Sequence, residues 1–344
     1  MLSFFGKPIR FDFLLMALVC MYSASLWLIA TYHGYGDEFS PMISLGAAIK
    51  VSIVMGILYV FYVIFKLAAN FIIYLPGNPI EVNKEYLING PFNKKRYTQS
   101  AIVFFAYFVF ISSFSSFKSL IGKMHPFSWD MYFMELDRKI HFGVDPWRLI
   151  HPFYSDPSIL QIVAFLYIAW LPIFFFILYK QLFGLKNRVL RAQYLLAFFL
   201  TWAINGSYFA FIFSSAGPCY FNFITGIDHY SELLSYQYEL NKTREILSVN
   251  IQSNLWDIFI GNQKNLIAGI SAFPSIHVST TFLFVLLSRH ARKRTFITSV
   301  GFLLVIMMGS IYLGWHYAVD GYFGIMTTLI IWLVSGYIAR RIKV

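Results

Sequence analysis

The sequence predicts an all-α polytopic membrane protein, and three observations carry that expectation. Of the 344 residues 58% are apolar and 12% charged, whereas a soluble domain averages about 25% charged. Eight apolar runs are each near the ~20 residues that cross a bilayer as a helix. Lys and Arg gather in alternate loops, as they do at the cytoplasmic ends of membrane helices.

The runs lie at 11–31, 43–65, 99–117, 158–179, 192–213, 272–288, 295–313 and 317–338. The first follows "MLSFFGKPIR" with no small-residue cleavage site behind it, so it is expected to be a retained helix, not a removed signal peptide. Orientation follows from the cations. Lys7 and Arg10 precede the first run; Lys66, Lys84, Lys94, Lys95 and Arg96 follow the second; Lys180, Lys186, Arg188 and Arg191 follow the fourth. Arg289, Arg292, Lys293 and Arg294 follow the sixth, and Arg340, Arg341 and Lys343 close the chain. Both termini are therefore expected in the cytoplasm, with the opposite loops outside.

The net charge of +11 is the bias that positive-inside loops produce, so no nucleic-acid partner is expected. Cys20 and Cys219 imply no disulfide framework. "NKT" at Asn241 matches a glycosylation acceptor, a pattern short enough to occur by chance. Two outer segments are too long to be connectors. Residues 118–157, with "MELDRKIHFGVDPWRLI", read as an interfacial stretch, and 214–270 reads as a long loop able to cap a site.

The chemistry converges on the same outer face. In "SAFPSIHVST" the sixth helix is expected to start with Pro274 at its first position and His277 in its first turn, where unpaired N–H groups and the Ser275 hydroxyl favour an anion. In "IYLGWHYAVDGYFG" His316 and Asp320 are four residues apart, one helical turn, so the carboxylate can hold one ring nitrogen and leave the other to attack. Alone, each signal has a plain alternative: an interfacial histidine, or a structural hydrogen bond between helices. Together, at successive outer helix starts, they read as a site. No HxxxH or HExxH companion supports a metal site, and no cofactor is expected. His33, His125, His141, His151 and His229 are scattered over outer loops and read as interfacial.

"FPSIH" followed by "YLGWHYAVDGYFG" resembles the second and third signature motifs of the phosphatidic acid phosphatase type 2 (PAP2) superfamily, PSGH and SRxxxxxHxxxD. The third motif looks most like the inositol phosphorylceramide synthase branch, the aureobasidin-sensitive enzymes, whose pattern reads YLxxHYxxD. "SSAGPCYF" resembles that branch's GAPPWY-type element. The resemblance implies a six-helix catalytic core over 99–344, with two helices and a cytoplasmic linker, 1–98, in front. It implies that His316 is a nucleophile forming a phosphohistidine without a metal, that Asp320 orients it, and that His277 protonates the leaving group. Ser275, Pro274, Gly217, Pro218, Tyr220, Tyr312 and Ser310 are the substrate contacts it suggests.

Departures from the pattern refine the expectation. The phosphatases carry cations in their first motif and an Arg six residues before the nucleophile. Here 214–220 holds no cation and the second position is Ser310. A phosphodiester carries one negative charge where a monoester can carry two, so the loss favours a phospholipid donor and a lipid alcohol acceptor, ceramide or diacylglycerol in type. Lys242, Arg244 or Arg138 are the cations that would restore a lipid phosphate phosphatase, the runner-up. A transporter ranks below both, because the ionisable residues gather at one face and not at the midplane. The expected location is a membrane, a bacterial inner membrane in preference to the Golgi, with the site on the periplasmic or lumenal face.

Overall fold

A computed structural model describes residues 3–4, 7–8, 10–42, 45–75, 77–89, 94–182, 187–261 and 269–342. Lys186 and Lys343 of the charge pattern lie outside the described residues, as do 43–44 of the second run and 262–268 of the long outer segment. A two-residue ribbon, β1 (Ser3–Phe4) with β2 (Lys7–Pro8), precedes a helical chain. Its elements are α1 (Phe11–Tyr32), α2 (Leu45–Ile73), α3 (Pro79–Asn89), α4 (Lys94–Met124), α5 (Asp130–Ile140), α6 (Pro146–Tyr154) and α7 (Pro157–Leu182). Then come α8 (Arg188–Ala203), continued by a π-helical stretch (Ile204–Phe209) into α9 (Ala210–Ile212), and a 3-10 turn, Pro218–Tyr220. The chain closes with α10 (Phe221–Thr225), α11 (Ser231–Asn241), α12 (Leu247–Ile260), α13 (Ile276–Ser288), α14 (Lys293–Tyr312) and α15 (Ala318–Ala339).

Seven of the described helices are long and apolar enough to cross a membrane. The expected sixth crossing is the exception. Its apolar run begins near 272, but the helix starts at Ile276 and has 13 residues, about 20 Å at 1.5 Å per residue. Ser275 is its N-cap, so 271–274 are a non-helical arm, and Ala272 N–H donates to the Ser215 carbonyl at 2.8 Å. Such irregular backbone is tolerated at membrane depth where protein surrounds it. Here Ala272, Phe273 and Pro274 are buried.

α13 is the axis of the core, packed by α8, α14 and α15, while α1 lies along α4. Close approach is specific: a side chain at Gly324 of α15 would meet Ser279 Oγ of α13 at 2.6 Å. Small residues let membrane helices touch in this way. Two polar anchors fix α13 from the other side, Trp202 Nε1 to Thr280 Oγ1 at 3.0 Å and Asn205 Nδ2 to Ser279 Oγ at 3.1 Å. Asn205 belongs to the π-helical stretch, a distortion that recurs near functional sites.

The described residues of the two long segments expected outside are largely helical. Residues 118–157 complete α4 and form α5 and α6, and 214–270 contains the 3-10 turn and α10 to α12. They are lashed to the end of α14, whose last carbonyls have no partner in their own helix. Gln237 donates to the Tyr312 carbonyl at 2.7 Å, Gln252 to Leu313 at 2.8 Å, and Cys219 N–H to Gly314 at 2.8 Å.

Candidate active site

The site is built where α14 stops and α15 begins. Past Tyr312 the chain turns, and both Trp315 N–H (3.0 Å) and His316 N–H (3.1 Å) donate to the Ser310 carbonyl. The Ser310 hydroxyl donates within its own helix to Met307 O at 2.8 Å. Expected as a substrate contact, Ser310 thus shapes the turn that presents His316.

His316 Nδ1 lies 3.2 Å from Asp320 Oδ2, which also accepts the Tyr317 N–H at 3.1 Å. Asp320 is fully buried, so its hydrogen bonds decide its orientation. With the carboxylate on Nδ1, the ring proton sits there and Nε2 is the nitrogen available for attack. Burial pushes His316 down to about 3, opposed by the adjacent Ala272 carbonyl and reinforced by Lys118. The ring is therefore neutral at neutral pH and its lone pair is ready.

His277 comes from the other helix start. Ser275 accepts the Val278 N–H at 3.4 Å and donates its own N–H to the Asp320 carbonyl at 3.2 Å, tying α13 to α15. His277 is thus the second residue of α13, and its ring centroid lies 6.2 Å from that of His316. Reacting atoms approach to about 3 Å on each side of a transferred phosphorus, so two rings at this separation can address one phosphoryl group. Pro274 precedes the N-cap, where a first helical position was expected, and it sits in the buried arm.

The 214–220 element packs on the same turn. Gly217 has φ +95°, and a Cβ there would fall 2.6 Å from the Trp315 carbonyl, so only glycine fits. Pro218 opens the 3-10 turn, and Cys219 is held to Gly314. Two other expected contacts have hydrogen-bond partners within the fold. Tyr220 donates to the Gln252 carbonyl at 3.0 Å and stacks on Trp256, and Tyr312 bonds His151 Nδ1 at 2.8 Å. Both hydroxyls fasten the outer helices.

Four contributors escape the sequence reading. Asp130 accepts from Gly217 N (2.8 Å), Ser215 Oγ (2.9 Å) and Tyr317 Oη (2.9 Å) on one oxygen and Ala216 N (2.9 Å) on the other. Asp137 accepts from Ala318 N (2.7 Å) and Val319 N (2.8 Å), the first turn of α15. The helix dipole favours a carboxylate there. The third is Lys118 of α4, a lysine within electrostatic reach of His277 and His316. The cations expected to serve the phosphate are engaged elsewhere: Lys242 with Glu239 at 2.6 Å, Arg244 with Ser158 at 3.3 Å, and Arg138 with the Gly143 carbonyl at 3.3 Å. The fourth is an aromatic pair on α7: Tyr167 stacks on His277 at 4.5 Å and Trp170 lies 4.2 Å from it.

Only the acids left a readable signal. Asp130, Phe133, Met134 and Asp137 form the i, i+3, i+4, i+7 face of α5, and all four are buried. Among the described residues no three His, Cys, Asp or Glu side chains gather as a metal would require.

Asp137 gives a pH test. Burial pushes its carboxyl up to about 7 against the pull of the two N–H bonds, Asp320 pushing the same way and His141 opposing. The folded state then holds a proton that the unfolded chain has lost, so this contribution to stability is full below about pH 4 and disappears as pH rises through about 7. Relative to Asp137→Asn, the wild-type melting midpoint should fall across that window. A constant difference from pH 4 to pH 8 would refute it.

Within an apolar bundle, a histidine held by a buried carboxylate thus lies beside a second histidine, their ring centroids 6.2 Å apart, in a chain with seven described helices long and apolar enough to cross a membrane. Residues 131–334 match the PAP2 superfamily model, and the chain belongs to that superfamily. Its members are phosphatases and phosphotransferases. No curated protein and no solved structure matches the chain.

Proposed function

We propose that the protein is a lipid phosphotransferase of the inositol phosphorylceramide synthase type, moving a phospho-headgroup from a phospholipid to a lipid alcohol. His316 Nε2 attacks the phosphorus of the donor diester; the N–P bond forms as the bond to the lipid alkoxide breaks, and His277, carrying a proton on both ring nitrogens when the donor's anionic phosphate is bound, gives that oxygen one of them and becomes neutral. The acceptor hydroxyl then attacks the phosphohistidine, His277 takes its proton, and His316 is released. Dividing the reaction lets one alcohol depart before the next arrives. Asp320 holds the ring through both steps.

The observation that carries the reading is the His277–His316 pair, whose ring centroids lie 6.2 Å apart, with Asp320 on His316 Nδ1. The same pair supports a second reading, hydrolysis of a lipid phosphomonoester. We further propose that the six-helix core spans 99–344, that both termini are cytoplasmic and that the site faces outward, in accord with the Lys and Arg pattern.

Rapid quenching with a donor labelled in its phosphoryl group separates the two readings. An acid-labile, base-stable label should appear on the protein and be discharged far faster by the right lipid alcohol than by buffer. Equal discharge in buffer with every acceptor, or faster turnover of phosphatidic acid than of any diester, would replace transfer with hydrolysis.

A further inference from the structure

The geometry points to Tyr167 of α7 as a substrate-binding residue whose hydroxyl donates a hydrogen bond to a phosphoryl oxygen, with Trp170 supplying a second donor. This rests on the reading of His316 and His277 as the reacting pair, and extends the site to a helix outside both signature motifs.

Tyr167 and Trp170 are one turn apart and so share a face of α7. Both are about 95% buried, and both lie against the ring of His277. Tyr167 is also stacked parallel to Trp315, the neighbour of His316, at 6.3 Å and 9°. Its ring is thus clamped between the two histidine-bearing segments.

The hydroxyl of Tyr167 and the indole N–H of Trp170 have no hydrogen-bond partner in the structure. A buried donor left unmade costs roughly 1–3 kcal/mol, more where hydrocarbon and not water is the alternative. Unpaired groups exist elsewhere, such as Tyr194 Oη and Ser335 Oγ, but these sit toward the opposite ends of α8 and α15. Among the described residues, Tyr167 and Trp170 are two unpaired donors that both lie against one proposed catalytic ring, that of His277. What both lack is an acceptor, and the incoming phosphoryl group brings oxygens to that place. A donor there gains strength as negative charge spreads over those oxygens in the transition state.

Tyr167→Phe keeps the ring and its stacking and deletes the hydroxyl alone. Full-length wild type, Tyr167→Phe and Trp170→Phe should be compared in lipid nanodiscs by three measurements: label transfer from a diester and from phosphatidic acid, discharge by a lipid alcohol, and the melting midpoint without added substrate. Label transfer in Tyr167→Phe should slow about 10- to 100-fold, since removal of one such donor costs on the order of 10² or more. Its midpoint should not fall, because the hydroxyl makes no bond within the protein. Trp170→Phe should slow transfer in the same direction. Transfer at the wild-type rate overturns the assignment, as does slowed transfer with a lowered midpoint, which would make the hydroxyl structural. Slowed discharge with unchanged transfer moves the contact to the acceptor alcohol and also overturns it. The parent reading is judged separately by wild type: label from phosphatidic acid but from no diester removes the transferase and leaves Tyr167 testable, and no label from either removes both.

Discussion

His316→Ala is expected to eliminate the covalent label and to lower turnover by on the order of 10⁴ to 10⁶, the range seen when the nucleophile of a cooperating set is deleted. His277→Ala and Asp320→Asn should each cost orders of magnitude as well, and the double variants should be scarcely worse than the singles. The three groups act as a unit: His277 has nothing to protonate without the attack, and the attack needs the tautomer that Asp320 sets. Asp320→Asn is the more informative of the two. Its remaining carbonyl oxygen can still accept the Tyr317 N–H now held at 3.1 Å, so the helix start survives. The amide can instead face His316 with a donor and invert the tautomer. Full turnover in any single variant, with the melting midpoint unchanged, would remove that residue from the mechanism.

Residues that act through neighbours in sequence were the readable ones. His316 and Asp320 are one turn apart, and His277 follows a Pro-Ser helix start, so local spacing alone brought them to view. The same local reasoning misplaced the start of the sixth helix, because hydropathy is equal for a helix and for a buried arm; the Ser275 cap decides between them. Tyr220 and Tyr312 were expected at substrate because they sit inside the motifs, yet their hydroxyl partners, Gln252 and His151, are distant in sequence and become neighbours only on folding. Tyr167 and Trp170 looked like any aromatic pair in a membrane helix. Nothing about them in one dimension shows that one imidazole lies against both.

Lys118 was hidden for a related reason. It closes an apolar run and reads as an interfacial lysine able to extend its charge to water. In the fold its backbone meets 269 instead: a side chain at Gly269 would fall 2.7 Å from the Lys118 carbonyl. Gly269, at φ +121°, therefore allows the arm that leads to α13 to pass directly over this lysine. The approach of the arm to α4 is a consequence of topology that no spacing rule expresses.

Asp130→Ala should be the most destabilising single change at the site, by about 3–5 kcal/mol, the range for deleting one member of a buried polar network. Asp130 is 1% exposed and collects four donors. Without it the N–H groups of Ala216 and Gly217, the Ser215 hydroxyl and the Tyr317 hydroxyl remain buried, and unpaired donors of this kind cost about 1–3 kcal/mol each before any relaxation. Asp130→Asn should fall between, since its amide keeps one acceptor oxygen but turns N–H groups toward donors. Turnover per folded molecule should drop as well, because Tyr317 follows His316 directly and Gly217 lies against the Trp315 carbonyl that precedes it. Thermal melting read beside specific activity checks both parts. An unchanged midpoint in Asp130→Ala would mean that water satisfies the four donors, and a lowered midpoint with full activity in the folded fraction would show that the His316 turn keeps its geometry without α5.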